Sequence, residues 1–122
     1  MNWRIVQREE STRLYELGNK EFRTGNIAEV IKFFEESIGL FPHFKTLERL
    51  GDCYAAVDRY ADAMVALAAA TTLNRGVRVP FLLMELQLKL DDLHSAKKLA
   101  KIILERSPGH ARAVAVLEIP SE

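Results

Sequence analysis

Leu17–Pro42 reads LGNKEFRTGNIAEVIKFFEESIGLFP. Alone, this stretch is two short amphipathic helices joined by a Gly25-Asn26 turn and closed by a proline. Moved by 33 residues, the pattern returns as Leu50–Arg75, and by 33 more as Leu83–Pro108. Gly18 falls on Gly51, Val30 on Ala63 and Ala96, and Phe34 on Leu67 and Ala100. A fixed period of this length is the mark of a stacked repeat, in which each unit buries its apolar face only against the next. The expected fold is therefore all-α. It is an α-solenoid of three stacked antiparallel helix pairs with short helical segments at both ends.

Working outward, the period divides one domain of 122 residues into an N-terminal helical extension (1–10), three repeats (11–43, 44–76 and 77–109) and a short terminal helix (110–119). Trp3, Val6, Leu14 and Leu17 share helical spacing, so the first helix either continues from the extension or breaks near Ser11-Thr12. Trp3 either covers the open end of the stack or anchors a partner. Gly25 supplies a left-handed stop, and Asn26 caps the next helix with Glu29 three residues on. Pro42 prevents further extension. In the second repeat the alanine-rich run ADAMVALAAATTL implies close helix approach, and Arg75 stands where its counterparts are prolines, leaving Gly76 to end the helix. In the third, FLLMELQLKL is apolar on more than one face, which suggests deep burial or contact with another chain. Asp91 and Asp92 end that helix and cap the one after it.

Composition narrows the function classes. Apolar residues make up 48% and charged residues 28%, as in an ordinary globular chain. Seventeen basic residues balance seventeen acidic ones, which argues against non-specific nucleic-acid binding. The single Cys53 cannot form an internal disulfide. The chain shows no charged-then-apolar leader and no apolar run of about 18 residues, so a cytoplasmic protein with no membrane association is expected. His43, His94 and His110 lack a second ligand at helical spacing, and neither a phosphate loop nor a nucleophile elbow occurs. No metal, no cofactor and no enzymatic activity are expected. Lys97, Lys98 and Lys101 form a small basic strip that reads as a solvated outer face.

Leu17, Gly18, Phe34 and Pro42 in the first repeat, Leu50, Gly51, Tyr54 and Ala63 in the second, and Leu83, Ala96 and Pro108 in the third resemble the tetratricopeptide repeat. The likeness covers Ser11 to Gly109. It departs from the family in its period of 33 rather than 34, in Met84 for the packing glycine, and in Glu21 and Gln87 for the tyrosine. The resemblance implies a superhelix whose concave face, lined by the first helix of each pair, binds peptides or partner proteins. By position, that face would present Tyr15, Asn19, Phe22 and Arg23, then Lys45, Arg49 and Asp52, then Arg78, Phe81 and Glu85.

Chaperone-binding members of the family clamp a C-terminal carboxylate with lysine, asparagine and arginine. Asn19 resembles the start of that clamp. Tyr15 sits at its first lysine, Arg49 at its second asparagine and Leu82 at its arginine, so the clamp is incomplete. Lys45 and Arg49 lie one turn apart and either hold an acidic segment or are solvated charges offset by Glu48 and Asp52.

Three functions follow as expectations. The first is a non-enzymatic adaptor that binds a protein or peptide in its groove. The second is a chaperone or immunity-type escort of one cognate protein. The third is a homodimer closed through the third repeat and the terminal helix.

Overall fold

The computed structural model describes residues 2–121 and shows, among them, seven helices and no strand. They are α1 (Trp3–Phe22), α2 (Ile27–Leu40), α3 (Phe44–Ala56), α4 (Tyr60–Leu73), α5 (Arg78–Lys89), α6 (Leu93–Arg106) and α7 (Ala111–Leu117).

The 33-residue register governs how these helices start and stop. Gly25, Asp58 and Asp91 lie 33 apart, and all three have positive φ, at 82°, 61° and 65°. Each reverses the chain after the first helix of its pair. The next residue opens the second helix: the carbonyls of Asn26, Arg59 and Asp92 accept from the N–H groups of Val30, Ala63 and Ala96 at 3.1, 3.0 and 3.1 Å. Asn26 and Asp92 also cap through their side chains, each accepting a backbone N–H at 3.2 Å, from Glu29 and Ser95. Arg59 has no acceptor to offer; its guanidinium instead holds Asp62 of the first turn at 2.9 Å.

Asn2 caps α1, which runs unbroken through Ser11-Thr12. Ser11 does not end the helix because its hydroxyl is engaged across the pair. The Ser11 and Ser37 hydroxyls lie 2.9 Å apart, and Ser37 donates to the Ser11 carbonyl at 2.6 Å. Both residues are buried, so these bonds lock α1 to α2 where water does not compete.

The helices gather into two compact units, one ending at Ala70 and the other beginning at Thr71. In the first, Gly18 and Gly51 let the rings and methyls of α2 and α4 approach. A Cβ on Gly18 would lie 2.5 Å from Cε1 of Phe34, and one on Gly51 would lie 2.6 Å from Cδ2 of Leu67. In the second unit the register positions carry Met84 and Ala100, both fully buried. Bulk has moved from the second helix to the first, which conserves volume at the contact.

The α4–α5 junction, where Arg75 replaces proline, is held by a side chain. Arg106 of α6 donates to the carbonyls of Asn74, Gly76 and Thr71 at 3.2, 3.0 and 3.3 Å. Asn74 accepts from the Gly76 N–H at 2.8 Å. α4 ends at Leu73, three residues before Gly76, which has no positive φ, so the expectation that Gly76 ends this helix is corrected: Arg106 and Asn74 shape the loop.

Candidate functional site

In the first unit, the inner faces of α1 and α3 bound a cleft of about 520 Å³. Its lining is Arg8, Ser11, Thr12 and Tyr15 of α1, Phe41 and His43 of the α2–α3 connection, and Thr46 of α3. Arg8, Thr12 and Tyr15 share one helix face because they are spaced by four and three residues. The Tyr15 ring rests on Phe34, with centroids 5.7 Å apart, which roots the cleft in the core of the first pair. The Arg8 guanidinium carbon lies 4.7 Å from the centroid of the Phe41 ring. His43 stacks on Phe44 at 5.0 Å, and its Nδ1 accepts from the Lys45 N–H at 3.2 Å.

The residues anticipated on this face divide into distinct settings. Tyr15 lines the cleft. Farther along α1, Phe22 is exposed and stands 5.9 Å beneath the Arg49 guanidinium, so these two anticipated residues meet. Asn19 is half-buried, and Arg23, Lys45 and Asp52 are exposed. Although its side chain reaches solvent, desolvation by the surrounding protein raises the Asp52 carboxyl above its ordinary value, and the Arg49 charge offsets part of that rise.

On α5 the setting differs. Arg78 is exposed in the first turn, while Phe81 and Glu85 are half-buried and turned to α7. Phe81 and His110 have ring centroids 5.8 Å apart, and Arg112 grips Glu85 through two bonds of 2.6 and 3.3 Å. Two of the residues anticipated on the inner face of the third repeat are therefore engaged from within the chain by α7.

Reading by repeat position missed Arg8, Thr12, Phe41, His43 and Thr46. Arg8 precedes the first repeat, and Phe41 and His43 sit in a connection that register does not assign to a face. The spacing from Arg8 to Tyr15 would have pointed to it once α1 was taken as unbroken.

Other anticipated features take plain structural roles. Trp3 is 69% exposed, so it covers no end of the stack, and Ile5 and Val6 beside it are also exposed. Lys97 leaves the basic strip to donate to the Ile119 carbonyl and, at 2.8 Å, to Ser121. Cys53 is buried, and burial, then the Asp52 charge, push its thiol up to about 11, which keeps it protonated and unreactive. Tyr54 donates to Glu35 at 2.5 Å, tying α3 to α2; burial first, then this bond, raise its hydroxyl well above the usual range. No helix among the described residues is long and apolar enough to cross a membrane.

No family model and no curated protein matches this chain by sequence. Solved structures do. The first TPR of Spaghetti (RPAP3), bound to the HSP90 peptide SRMEEVD, is 23% identical; the match covers 89% of this chain and 88% of that one, with a TM-score of 0.72. The Yersinia enterocolitica type III secretion chaperone SycD, in complex with a peptide of the translocator YopD, is 21% identical, covers 88% of each chain and has a TM-score of 0.72. PcrH, in complex with the chaperone-binding region of PopB, is 24% identical over 88% of this chain and 94% of that one, with a TM-score of 0.70. These matches in overall structure make the fold of this chain that of the tetratricopeptide repeat, to which its own helix order, left-handed turns and packing glycines conform.

Proposed function

We propose that this chain is a non-enzymatic interaction module that holds a peptide, or a segment of a partner protein, against the inner faces of α1 and α3. The observation that carries this reading is the contrast between the two units. On α5, Phe81 and Glu85 are engaged by His110 and Arg112, whereas the α1–α3 face keeps an aromatic-walled cleft of about 520 Å³. Apolar concavity with a few polar groups is what a bound segment needs. Spaghetti, SycD and PcrH, which share the fold, each hold a peptide or binding region of another protein. Tyr15, Asn19, Phe22, Arg23, Lys45, Arg49 and Asp52 are the residues offered for contact. Arg78, Phe81 and Glu85 belong to the second unit, and α7 engages two of them.

The test is selection of binders from a random-peptide display library, followed by mapping of the bound peptide on the amide spectrum of the chain. Perturbed amides should cluster on α1 and α3, and Lys45→Glu with Arg49→Glu should abolish binding while leaving helicity unchanged. Binders that map only to α4 and α6, or a double variant that binds as tightly as the parent, would sink the reading.

A dedicated escort of one cognate protein is the second reading, favoured by the exposed Trp3, Ile5 and Val6. These apolar residues extend the α1 surface beyond what a short peptide would cover. A stable equimolar complex with a single protein from the native host, lost on Trp3→Ala with Val6→Ala, distinguishes escort from adaptor.

A further inference from the structure

We infer that the cleft at the N-terminal half of α1 is a carboxylate-and-apolar subsite, in which Arg8 on its Phe41 shelf takes an acidic group and the Tyr15–Phe41 walls take the apolar side chain beside it. This rests on the reading that the chain holds peptides, and it assigns a ligand chemistry to a site outside the incomplete clamp of Asn19 and Arg49.

Charge complementarity carries the inference. Among the described residues lining the cleft, Arg8 is the one fixed charge, and no carboxylate lines it. Arg8 forms no ion pair among the described residues, in contrast to Arg13, Arg59 and Arg112, each of which is paired with a carboxylate. Its plane is positioned instead by the Phe41 ring, 4.7 Å away. Stacking leaves the N–H edge of a guanidinium available, and that edge matches the two oxygens of a carboxylate.

A second donor is set by the backbone. Because His43 Nδ1 accepts from the Lys45 N–H, a neutral ring carries its proton on Nε2, which makes that nitrogen a donor. The Tyr15 hydroxyl forms no hydrogen bond among the described residues and is a third donor on the lining. Three donors, no acidic group and two aromatic walls select a ligand that is anionic at one end and apolar at the other. A side-chain carboxylate and a free chain terminus both supply that anion.

Amide spectra of the full chain titrated with acetylated heptapeptides test the inference. One probe is C-terminally amidated with a central Leu-Glu; a second has Leu-Gln; a third has no acidic residue and ends in leucine with a free carboxylate. The amides of Arg8, Thr12 and His43 should move with an anionic probe, and Leu-Gln should bind about tenfold more weakly than the better anionic probe, as expected for loss of one charge-assisted pair. Tighter binding of the first probe identifies a side-chain carboxylate, and tighter binding of the third a chain terminus. Arg8→Gln should erase the preference for the anion, whereas Arg8→Lys should keep part of it. Arg8 is exposed, so both variants should stay folded, and Arg8→Gln should lose no more stability than its stacking on Phe41 supplies.

Equal binding of the anionic and Leu-Gln probes, an anion preference that survives Arg8→Gln, or no perturbation at Arg8 and His43 overturns the subsite. If Arg8→Gln keeps full affinity for display-selected ligands that the Lys45→Glu, Arg49→Glu variant loses, the subsite falls and the interaction module stands. If the unaltered chain selects no ligand at all, both fall.

Discussion

Gly18 and Phe34 are packed so closely that a single methyl group on the glycine would sit 2.5 Å from the ring. Thirty-three residues on, Gly51 and Leu67 repeat the relationship at 2.6 Å, and 33 further it is inverted in Met84 and Ala100. Gly18→Ala should therefore destabilise the chain by about 1–3 kcal/mol, although alanine is the better helix former by about 1 kcal/mol. Gly18→Met should cost more, and adding Phe34→Ala, which copies the third repeat, should recover most of that loss. Urea denaturation of the two single variants and the double variant checks this. A Gly18→Ala variant as stable as the parent would contradict the packing argument.

The Ser11–Ser37 pair makes a separate prediction. Ser37→Ala removes the donor to the Ser11 carbonyl and leaves the Ser11 hydroxyl with its backbone bonds to the Ser37 and Phe41 carbonyls. The expected loss is about 1–2 kcal/mol. Ser11→Ala combined with Ser37→Ala should cost less than the sum of the singles. Strict additivity across that cycle would show that the two hydroxyls do not act together.

Asp91 occupies a left-handed position that Gly25 fills in the first repeat, with φ at 65°. Asp91→Gly relieves the Cβ clash there and should stabilise the chain by about 0.5–1 kcal/mol, net of the entropy glycine adds to the unfolded state. Thermal melting of this variant against Asp91→Ala, which should be less stable than Asp91→Gly, decides the matter. The reverse order would remove the turn from the account.

Asp92 predicts a pH dependence. Bonds from the Ser95 hydroxyl, then from its backbone N–H, hold the Asp92 carboxyl below its ordinary value of 3.8. A carboxyl lowered by folding adds stability above its unfolded value, and that contribution is lost as pH falls through the folded value. Asp92→Asn keeps an acceptor for the cap but does not titrate. The stability difference between parent and Asp92→Asn should shrink as pH drops from about 5 to about 2. A difference that stays constant over that window would sink the assignment.

How much of this was legible in the sequence varies by element. The helix pairs were legible because register repeats the same turn chemistry and the same buried stripe every 33 residues, as Val30, Ala63 and Ala96, all fully buried, show. The length of α1 was open, because Ser11-Thr12 favours a break unless something across the pair engages the serine. Arg8, Phe41 and His43 were not legible as one site. They come from a helix extension and a connection, and only the docking of α1 beside α3 brings them to a common cleft. Phe81 and Glu85 were assigned to an open face, because nothing in a seven-residue helix such as α7 announces which side chains it will engage.

The number of helix pairs, their turns and their buried stripes could be read from the amino-acid order alone, since these depend on residues close along the chain and on a period that any helix obeys. Which faces stayed open was settled only by packing in three dimensions, and that packing did more. It set the α1–α3 cleft, the Arg8–Phe41 shelf, the Arg106 brace and the contacts of Phe81 and Glu85 with α7. The physical reason is that exposure belongs to pairs of distant surfaces, and no local pattern records whether a partner surface from elsewhere in the chain will arrive.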